Sequence, residues 1–119
     1  TANITFDAGT RSFGVMLRMS DDFESGYFIR FEPAMQRLVF DAWPRAGDVP
    51  FMCELERPIR LQAGEPLEIE VLIDGSVCKV YAGGSVAMST RVYNHAQGVW
   101  GVFASEGNAK FNDVTLHVA

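Results

Sequence analysis

Short runs of alternating apolar and polar residues cover almost all of the 119-residue chain. One such run extends from Leu67 to Asp74, and every second side chain up to Ile73 in it is aliphatic. Alternation with a period of two places the apolar side chains on one face of a β-strand. No stretch of ten or more residues repeats apolar positions at helical spacing between helix caps. The chain can therefore bury its apolar side chains only by pairing strands into sheets and packing those sheets together.

Glycine, proline, aspartate and asparagine interrupt the runs and mark the turns. Asp74-Gly75 and Gly83-Gly84 are signals of two-residue hairpins, because such turns require positive φ. The predicted strands between the turns are 2–8, 12–20, 26–33, 36–43, 51–57, 66–74, 77–82, 85–93, 98–105 and 109–118. This spacing predicts an all-β fold, a two-sheet antiparallel β-sandwich of the concanavalin or jelly-roll kind, built as one domain over residues 1–119.

The composition restricts the class of partner. The chain is 48% hydrophobic with a net charge of −5, which argues against disorder and against nucleic acid or an anionic membrane surface as a partner. No signal peptide and no apolar run of membrane-spanning length is present. Because the first residues already form a predicted strand without an initiator methionine, we expect a fragment of a longer chain. The location is left open, and an extracellular one is favoured only for a polysaccharide-binding module.

The two cysteines, Cys53 and Cys78, do not form a metal-binding C-x-x-C pattern. Cys78 lies inside a predicted strand, where a cysteine behaves as a small buried hydrophobic residue. A Cys53–Cys78 disulfide is the alternative, and neither arrangement fixes the compartment.

The strands predicted between residues 12 and 43 have one uniformly apolar face and one mixed face. A solvated face is poor in Phe and Trp, whereas a buried face excludes Arg and Asp unless they are paired. The mixture therefore predicts a docking or sugar-binding surface. The alternative is that a loop of the same domain covers it, with Arg18 and Arg30 paired to Asp41 and Glu32. The mixed face consists of Met16, Arg18, Phe28, Arg30, Glu32, Val39, Asp41 and Trp43.

Three motifs follow one another in the second half of the chain: Leu67-x-Ile-x-Val-x-Ile-Asp-x-Ser-Val-x-x-Val-Tyr81, then Gly83-Gly84, then Thr90-Arg-Val-Tyr93. Their order resembles that of the C-terminal β-sandwich of glycoside hydrolase family 32. The segments Phe13–Ser20 and Gly26–Phe31 extend the resemblance and are also similar to levan-binding carbohydrate modules. Gly75 and Lys79 depart from the pattern, because the family more often has a larger residue and a glutamate there.

The resemblance implies a non-catalytic accessory domain of a fructan- or sucrose-splitting hydrolase, packed on a catalytic propeller of the same chain. The propeller's hallmark strings, Asn-Asp-Pro-Asn and Arg-Asp-Pro, do not occur here. An alternative that it also implies is a carbohydrate-binding module for a fructan such as levan or inulin, or for fructose. A third interpretation is a lectin-like sandwich with another ligand. No cofactor is expected in any of them.

Catalytic chemistry finds little support in the residues themselves. The pairs Glu54-x-Glu56 and Glu68-x-Glu70 have the carboxylates that glycoside hydrolysis uses, but such pairs ordinarily lie on solvated sheet faces. His95 and His117 lack a nucleophile or metal-ligand companions at a useful spacing. We therefore predict no catalytic residue and no metal site.

Recognition of a sugar requires an aromatic ring for its C–H face and charged groups for its hydroxyls. Trp43, close to Asp41 in the sequence, is the better stacking candidate of the two tryptophans. Glu106 lies in the turn before the last strand and adds a carboxylate. The predicted carbohydrate-binding residues are Arg18, Arg30, Asp41, Trp43 and Glu106.

Overall fold

The computed structural model describes residues 1–22, 25–43, 55–92 and 98–115, with the backbone alone described for Trp43. A 3-10 turn at Pro33–Met35 separates the third strand from the fourth. The strands are β1 (Ala2–Phe6), β2 (Ser12–Met19), β3 (Gly26–Glu32), β4 (Arg37–Trp43), β5 (Leu55–Pro58), β6 (Leu67–Asp74), β7 (Val77–Ala82), β8 (Val86–Arg91), β9 (Val99–Ser105) and β10 (Ala109–Asn112).

The strands form two antiparallel sheets of five strands each, which confirms the all-β prediction. The first sheet has the order β10-β1-β6-β7-β8, and the second has the order β5-β4-β3-β2-β9. Consecutive strands pair from β2 to β5 and from β6 to β8, whereas β1 lies between β6 and β10, far away along the chain. Among the described residues, no helix is long and apolar enough to cross a membrane.

The core lies between the two sheets and consists of the faces that alternation predicted. Phe13 on β2, Ile29 on β3 and Phe40 on β4 are completely buried. Phe13 stacks on Phe6 of the first sheet and on Phe31, with ring centroids 4.9 and 5.3 Å apart. The Phe6–Phe13 contact joins the two sheets, and it removes a large apolar area from water.

One of the two predicted hairpin turns is a residue longer than expected. Asp74 pairs with Val77, so the β6–β7 turn consists of Gly75 and Ser76, with Gly75 at φ +59°. In the β7–β8 connection Ala82 pairs with Val86, which leaves three residues in the turn where the sequence predicted two. Both of its glycines have positive φ, as a tight reversal requires.

The first and last predicted strands end earlier than expected within the described residues, the first of them at Phe6. The last strand ends at Asn112 because Asp113 adopts φ +54°, and its predicted continuation at 116–118 lies outside the described residues. The predicted strand 51–57 is described only from Leu55 onward.

Candidate functional site

The mixed face is the outward surface of the second sheet. Strand register and alternation decide which side chains lie on it, because residues opposite one another on paired strands point to the same side. They include Met16, Phe28, Arg30, Glu32, Arg37, Val39, Asp41, Glu56 and Phe103.

A continuous series of ion pairs, here called the ion-pair chain, crosses this face from β4 to β5. The Arg30 Nη2 and Nε atoms lie 3.5 Å from Asp41 Oδ2 and Glu32 Oε2. The Arg37 Nε and Nη1 atoms lie 2.7 Å from Glu32 Oε1 and Glu56 Oε2. Three carboxylates thus alternate with two guanidinium groups. The pairing predicted for Arg30 is confirmed for both of its carboxylate partners.

Burial of the ion-pair chain decreases from one end to the other. The Asp41 side chain is 4% exposed and that of Glu56 is 56% exposed. Asp41 also accepts a hydrogen bond from the backbone N–H of Ala42 at 3.0 Å. Its neighbour on the same face, Val39, is completely buried. A carboxylate that has lost most of its water must be paired in this way, because an unpaired buried charge is strongly destabilising.

An aromatic pair adjoins the ion-pair chain. The rings of Phe28 and Phe103 meet edge to face, with centroids 5.9 Å apart and an interplanar angle of 85°. Gly14 opposes Arg30 in the β2–β3 register, and a Cβ atom built on it would lie 1.8 Å from the Ile29 carbonyl oxygen. The strands beneath this face are therefore packed too closely to accept any side chain at position 14.

Arg18 does not belong to this face, which corrects the prediction. The register between β2 and β9 shifts between Met16 and Met19, and Arg18 adopts φ +48° at this bulge. Its guanidinium group donates hydrogen bonds to the carbonyl oxygens of Val92 and Gly75, next to strands of the first sheet. One extra residue in a strand reverses the alternation after it, so parity assigned Arg18 to the wrong surface.

Glu106 pairs with Arg11 and not with Arg30. It occupies the β9–β10 turn at φ +52°, next to Ser105, which pairs with Ser12 at the start of β2. Its carboxylate is 3.5 Å from Arg11 Nη1, and both side chains are about two-thirds exposed or more, at 68% and 72%. Arg18, by contrast, is near the end of β2. Glu106 and Arg18 are thus at opposite ends of one strand.

The structure consequently brings together two of the five predicted residues, Arg30 and Asp41. Trp43 ends β4, where its backbone pairs with Gly26, and its side chain lies outside the described part of the molecule. The carbohydrate-binding role of the whole set stays a prediction. Arg37 was not predicted to lie on this face. Alternate residues of β4 point the same way, so Arg37 shares the face of Val39 and Asp41.

No group of three or more His, Cys, Asp or Glu side chains within the described residues is arranged to hold a metal ion. Cys78 is a free, completely buried thiol, as the sequence predicted. Its burial raises the pKa to about 11, an effect that the positive charge of Arg18 partly offsets. Cys53 lies outside the described residues.

Comparison with known proteins relates the chain to carbohydrate-active enzymes. The profile of the family described as glycosyl hydrolases family 32 C terminal matches residues 1–118. A structural search finds the carbohydrate-binding module CBM66 from Bacillus subtilis, with a TM-score of 0.70, 16% identity and coverage of 92% of this chain and 68% of that one.

It also finds an exo-inulinase from Aspergillus awamori, with a TM-score of 0.64, 17% identity and coverage of 92% of this chain. The match spans only 24% of the inulinase. No curated protein sequence matches the chain. At these sequence identities the structural likeness establishes only a common fold. The family profile covers nearly the full sequence, and this match establishes the family. The chain belongs to the C-terminal domain family of the family 32 glycoside hydrolases.

Proposed function

We propose that this chain is a non-catalytic accessory domain that packs on the catalytic propeller of a fructan- or sucrose-hydrolysing glycosidase and stabilises it. The family match over residues 1–118 carries the proposal. The likeness to one-quarter of an exo-inulinase supports it, since the remainder of such an enzyme is available for the catalytic part.

The mixed face has the properties expected of the docking surface. Its arginines and carboxylates already compensate one another in the ion-pair chain, so a partner need not neutralise isolated charges. The Phe28–Phe103 pair supplies aromatic area beside them. Aromatic residues and arginine are enriched at the centres of protein interfaces.

Calorimetric unfolding of the full glycosidase tests the docking role. Phe103→Asp places a charge on the mixed face, and we expect it to lower the unfolding temperature of the catalytic domain. Tyr81→Asp is the matched control, because Tyr81 is a 42% exposed aromatic residue on β7 of the opposite sheet. The transition of the module itself is followed in the same scan. Equal catalytic-domain temperatures for both variants would refute docking through this face.

A second candidate function is the binding of a fructan, and the geometry of Arg30 favours it. Both ion-pair distances of Arg30 are 3.5 Å, longer than the 2.7 Å of the Arg37 pairs. A charge-assisted hydrogen bond is ordinarily shorter than 3 Å, so these two pairs do not use the full donor capacity of the Arg30 guanidinium group. The Arg30 side chain is 20% exposed, so it can donate a hydrogen bond to a sugar hydroxyl at this face. The similar fold of a carbohydrate-binding module is consistent with this role.

Titration calorimetry with levan, inulin, sucrose and fructose tests this second function. We expect heat from at least one of these sugars and at least tenfold weaker binding for Arg30→Ala. Arg91→Ala is the control, because Arg91 is an exposed arginine on β8 of the first sheet. Absence of heat with all four sugars would exclude the binding function and leave the docking role.

A further inference from the structure

Arg18 connects the two sheets at one end of the sandwich. It lies on β2 of the second sheet, and its guanidinium group donates hydrogen bonds to the carbonyl oxygens of Gly75 and Val92, next to strands of the first sheet. Gly75 lies in the β6–β7 turn, and the Val92 N–H donates to the Ser76 carbonyl of the same turn at 2.7 Å. One side chain therefore holds both sides of the chain segment that leads into β7. Hydrogen bonds from a charged donor to a carbonyl are among the stronger ones in proteins.

The backbone of Arg18 adopts an unfavourable conformation at this contact. Its φ is +48°, and the β2–β9 register shifts between Met16 and Met19. Regular alternation would direct Arg18 to the outward face together with Met16, whereas the bulge turns its side chain toward the first sheet. A strained backbone persists only when the surrounding contacts compensate for it. The two hydrogen bonds to the first sheet supply this compensation.

The buried thiol of Cys78 lies close to this contact. Cys78 is the second residue of β7 and belongs to the core between the sheets. Burial raises its pKa to about 11, and the positive charge of Arg18 acts in the opposite direction, so the guanidinium group is within electrostatic range of the sulfur. The accessibility of this thiol therefore reports whether this end of the sandwich is closed.

An aromatic contact joins the sheets at the other end of β2. Phe13, the second residue of β2, stacks on Phe6 of the first sheet with ring centroids 4.9 Å apart. Arg18 follows Phe13 by five positions, which corresponds to about 16 Å along an extended strand. The Phe6–Phe13 contact therefore does not depend on the Arg18 hydrogen bonds.

We propose that Arg18 is a conformational latch, which keeps the β6–β7 turn and the start of β7 closed against β2. Release of its two hydrogen bonds opens this end of the sandwich and exposes Cys78, while the aromatic stack at the other end stays packed. Proteins commonly open in such local units, at free energies below that of global unfolding. The latch is independent of the proposed docking and sugar-binding roles, because it uses neither the ion-pair chain nor the Phe28–Phe103 pair.

Alkylation of Cys78 in the intact, folded protein tests the latch. Mass spectrometry of the peptide that contains Cys78 follows this thiol separately from every other one. Arg18→Met keeps an unbranched side chain and removes both hydrogen bonds, so we expect at least tenfold faster alkylation. A tenfold change corresponds to about 1.4 kcal/mol in the opening equilibrium. Loss of the positive charge by itself would raise the pKa of the thiol and slow its alkylation, so an acceleration reports opening.

Arg91→Met is the matched control, because the exposed Arg91 contacts the same turn from within the first sheet. Its Nη1 atom donates to the Ser76 hydroxyl oxygen at 3.1 Å. We expect its alkylation rate to stay within twofold of that of the unsubstituted protein. Amide hydrogen exchange in the same samples separates local from global opening. Arg18→Met should accelerate exchange of the Val92 N–H at least tenfold and leave that of Ile29 unchanged, because Ile29 lies on β3 between two paired strands.

Equal alkylation of Cys78 in the two methionine variants would overturn the latch. Equal acceleration of exchange at Val92 and Ile29 would also overturn it, because it shows global unfolding. If Arg18→Met does not fold, Arg18→Lys takes its place, since its single ammonium group does not reproduce the two-armed guanidinium contact. We expect about threefold faster alkylation of Cys78 in that variant, and an unchanged rate overturns the latch. Loss of the fold in both variants would show that Arg18 supports the whole sandwich and would exclude a local role.

Discussion

Replacing Gly14 by alanine is expected to be among the most destabilising single-methyl additions in the second sheet. The new Cβ atom would lie 1.8 Å from the Ile29 carbonyl oxygen and 2.9 Å from its carbonyl carbon. A carbon and an oxygen in contact are ordinarily at least about 3.3 Å apart, so β2 and β3 must separate by about 1.5 Å at this point. The obstacle is backbone of the adjacent strand, which cannot rotate away as a side chain can.

The expected cost follows from what such a separation breaks. Stretching ladder hydrogen bonds by about 1.5 Å removes them, at about 1 kcal/mol each for two bonds. Repacking around an inserted methyl adds about 1 kcal/mol or more. We therefore expect a loss of about 3 kcal/mol. With a urea dependence of about 1.5 kcal/mol per molar, the denaturation midpoint falls by about 2 M.

Gly101→Ala is the matched control for this measurement. Gly101 lies on the same face in the neighbouring strand β9, and its added Cβ would meet only the terminal methyl of Met16 at 3.3 Å. A flexible methyl group can move, so we expect a change within about 0.5 kcal/mol. Equal midpoints for the two variants would refute the close approach of β2 and β3 at Gly14.

The other predictions concern buried polar groups and ion pairs. Thr10→Val removes the hydrogen bonds that the Thr10 hydroxyl donates to the Asn108 carbonyl at 2.9 Å and accepts from its N–H at 3.2 Å, and should cost about 2 kcal/mol in urea unfolding; an unchanged midpoint would contradict this. Arg37→Ala, which breaks the shortest ion pairs, should cost about 1 kcal/mol, whereas Arg11→Ala at an exposed pair should be almost neutral; the reverse order would argue against the ion-pair chain. The pKa of Cys78 is raised from 9.0 to about 11 because the fold buries the neutral thiol. The neutral thiol therefore contributes up to about 3 kcal/mol to the free energy of unfolding below pH 9.0. This contribution is lost as the pH rises from 9.0 to about 11. Cys78→Ala should therefore be less sensitive to pH in this range, and parallel stability curves would show that the thiol is not protected.

Alternation predicted the strands and the core well because burial between two sheets acts on every second residue. Phe13, Ile29 and Phe40 all face the core as expected. The same rule failed at Arg18, because a bulge changes parity without any marker in the sequence when its residue is not glycine. The length of the β7–β8 turn was uncertain by one residue, since Gly83-Gly84 can begin a two- or three-residue turn with the same positive φ values.

Only the part of the candidate site that lies within one hairpin could be predicted from the sequence. Arg30 and Asp41 occupy adjacent strands of one hairpin, so sequence spacing almost fixes their proximity. The positions of Glu106 and Arg18 depend on which strands become neighbours and on where each strand begins. Both are determined by tertiary packing and not by the local sequence. Pairing between β2 and β9 joins residues eighty or more positions apart, and no local signal in the sequence indicates it.

The position of β1 between β6 and β10 has a consequence for biosynthesis. During synthesis β1 can acquire both of its neighbours only after β10 has emerged from the ribosome, because Ile4 pairs with both Leu67 and Phe111. Contacts so distant in sequence slow folding. The edge of β1 that faces β10 therefore stays unpaired until β10 has been synthesised, which leaves an unprotected strand edge in the nascent chain.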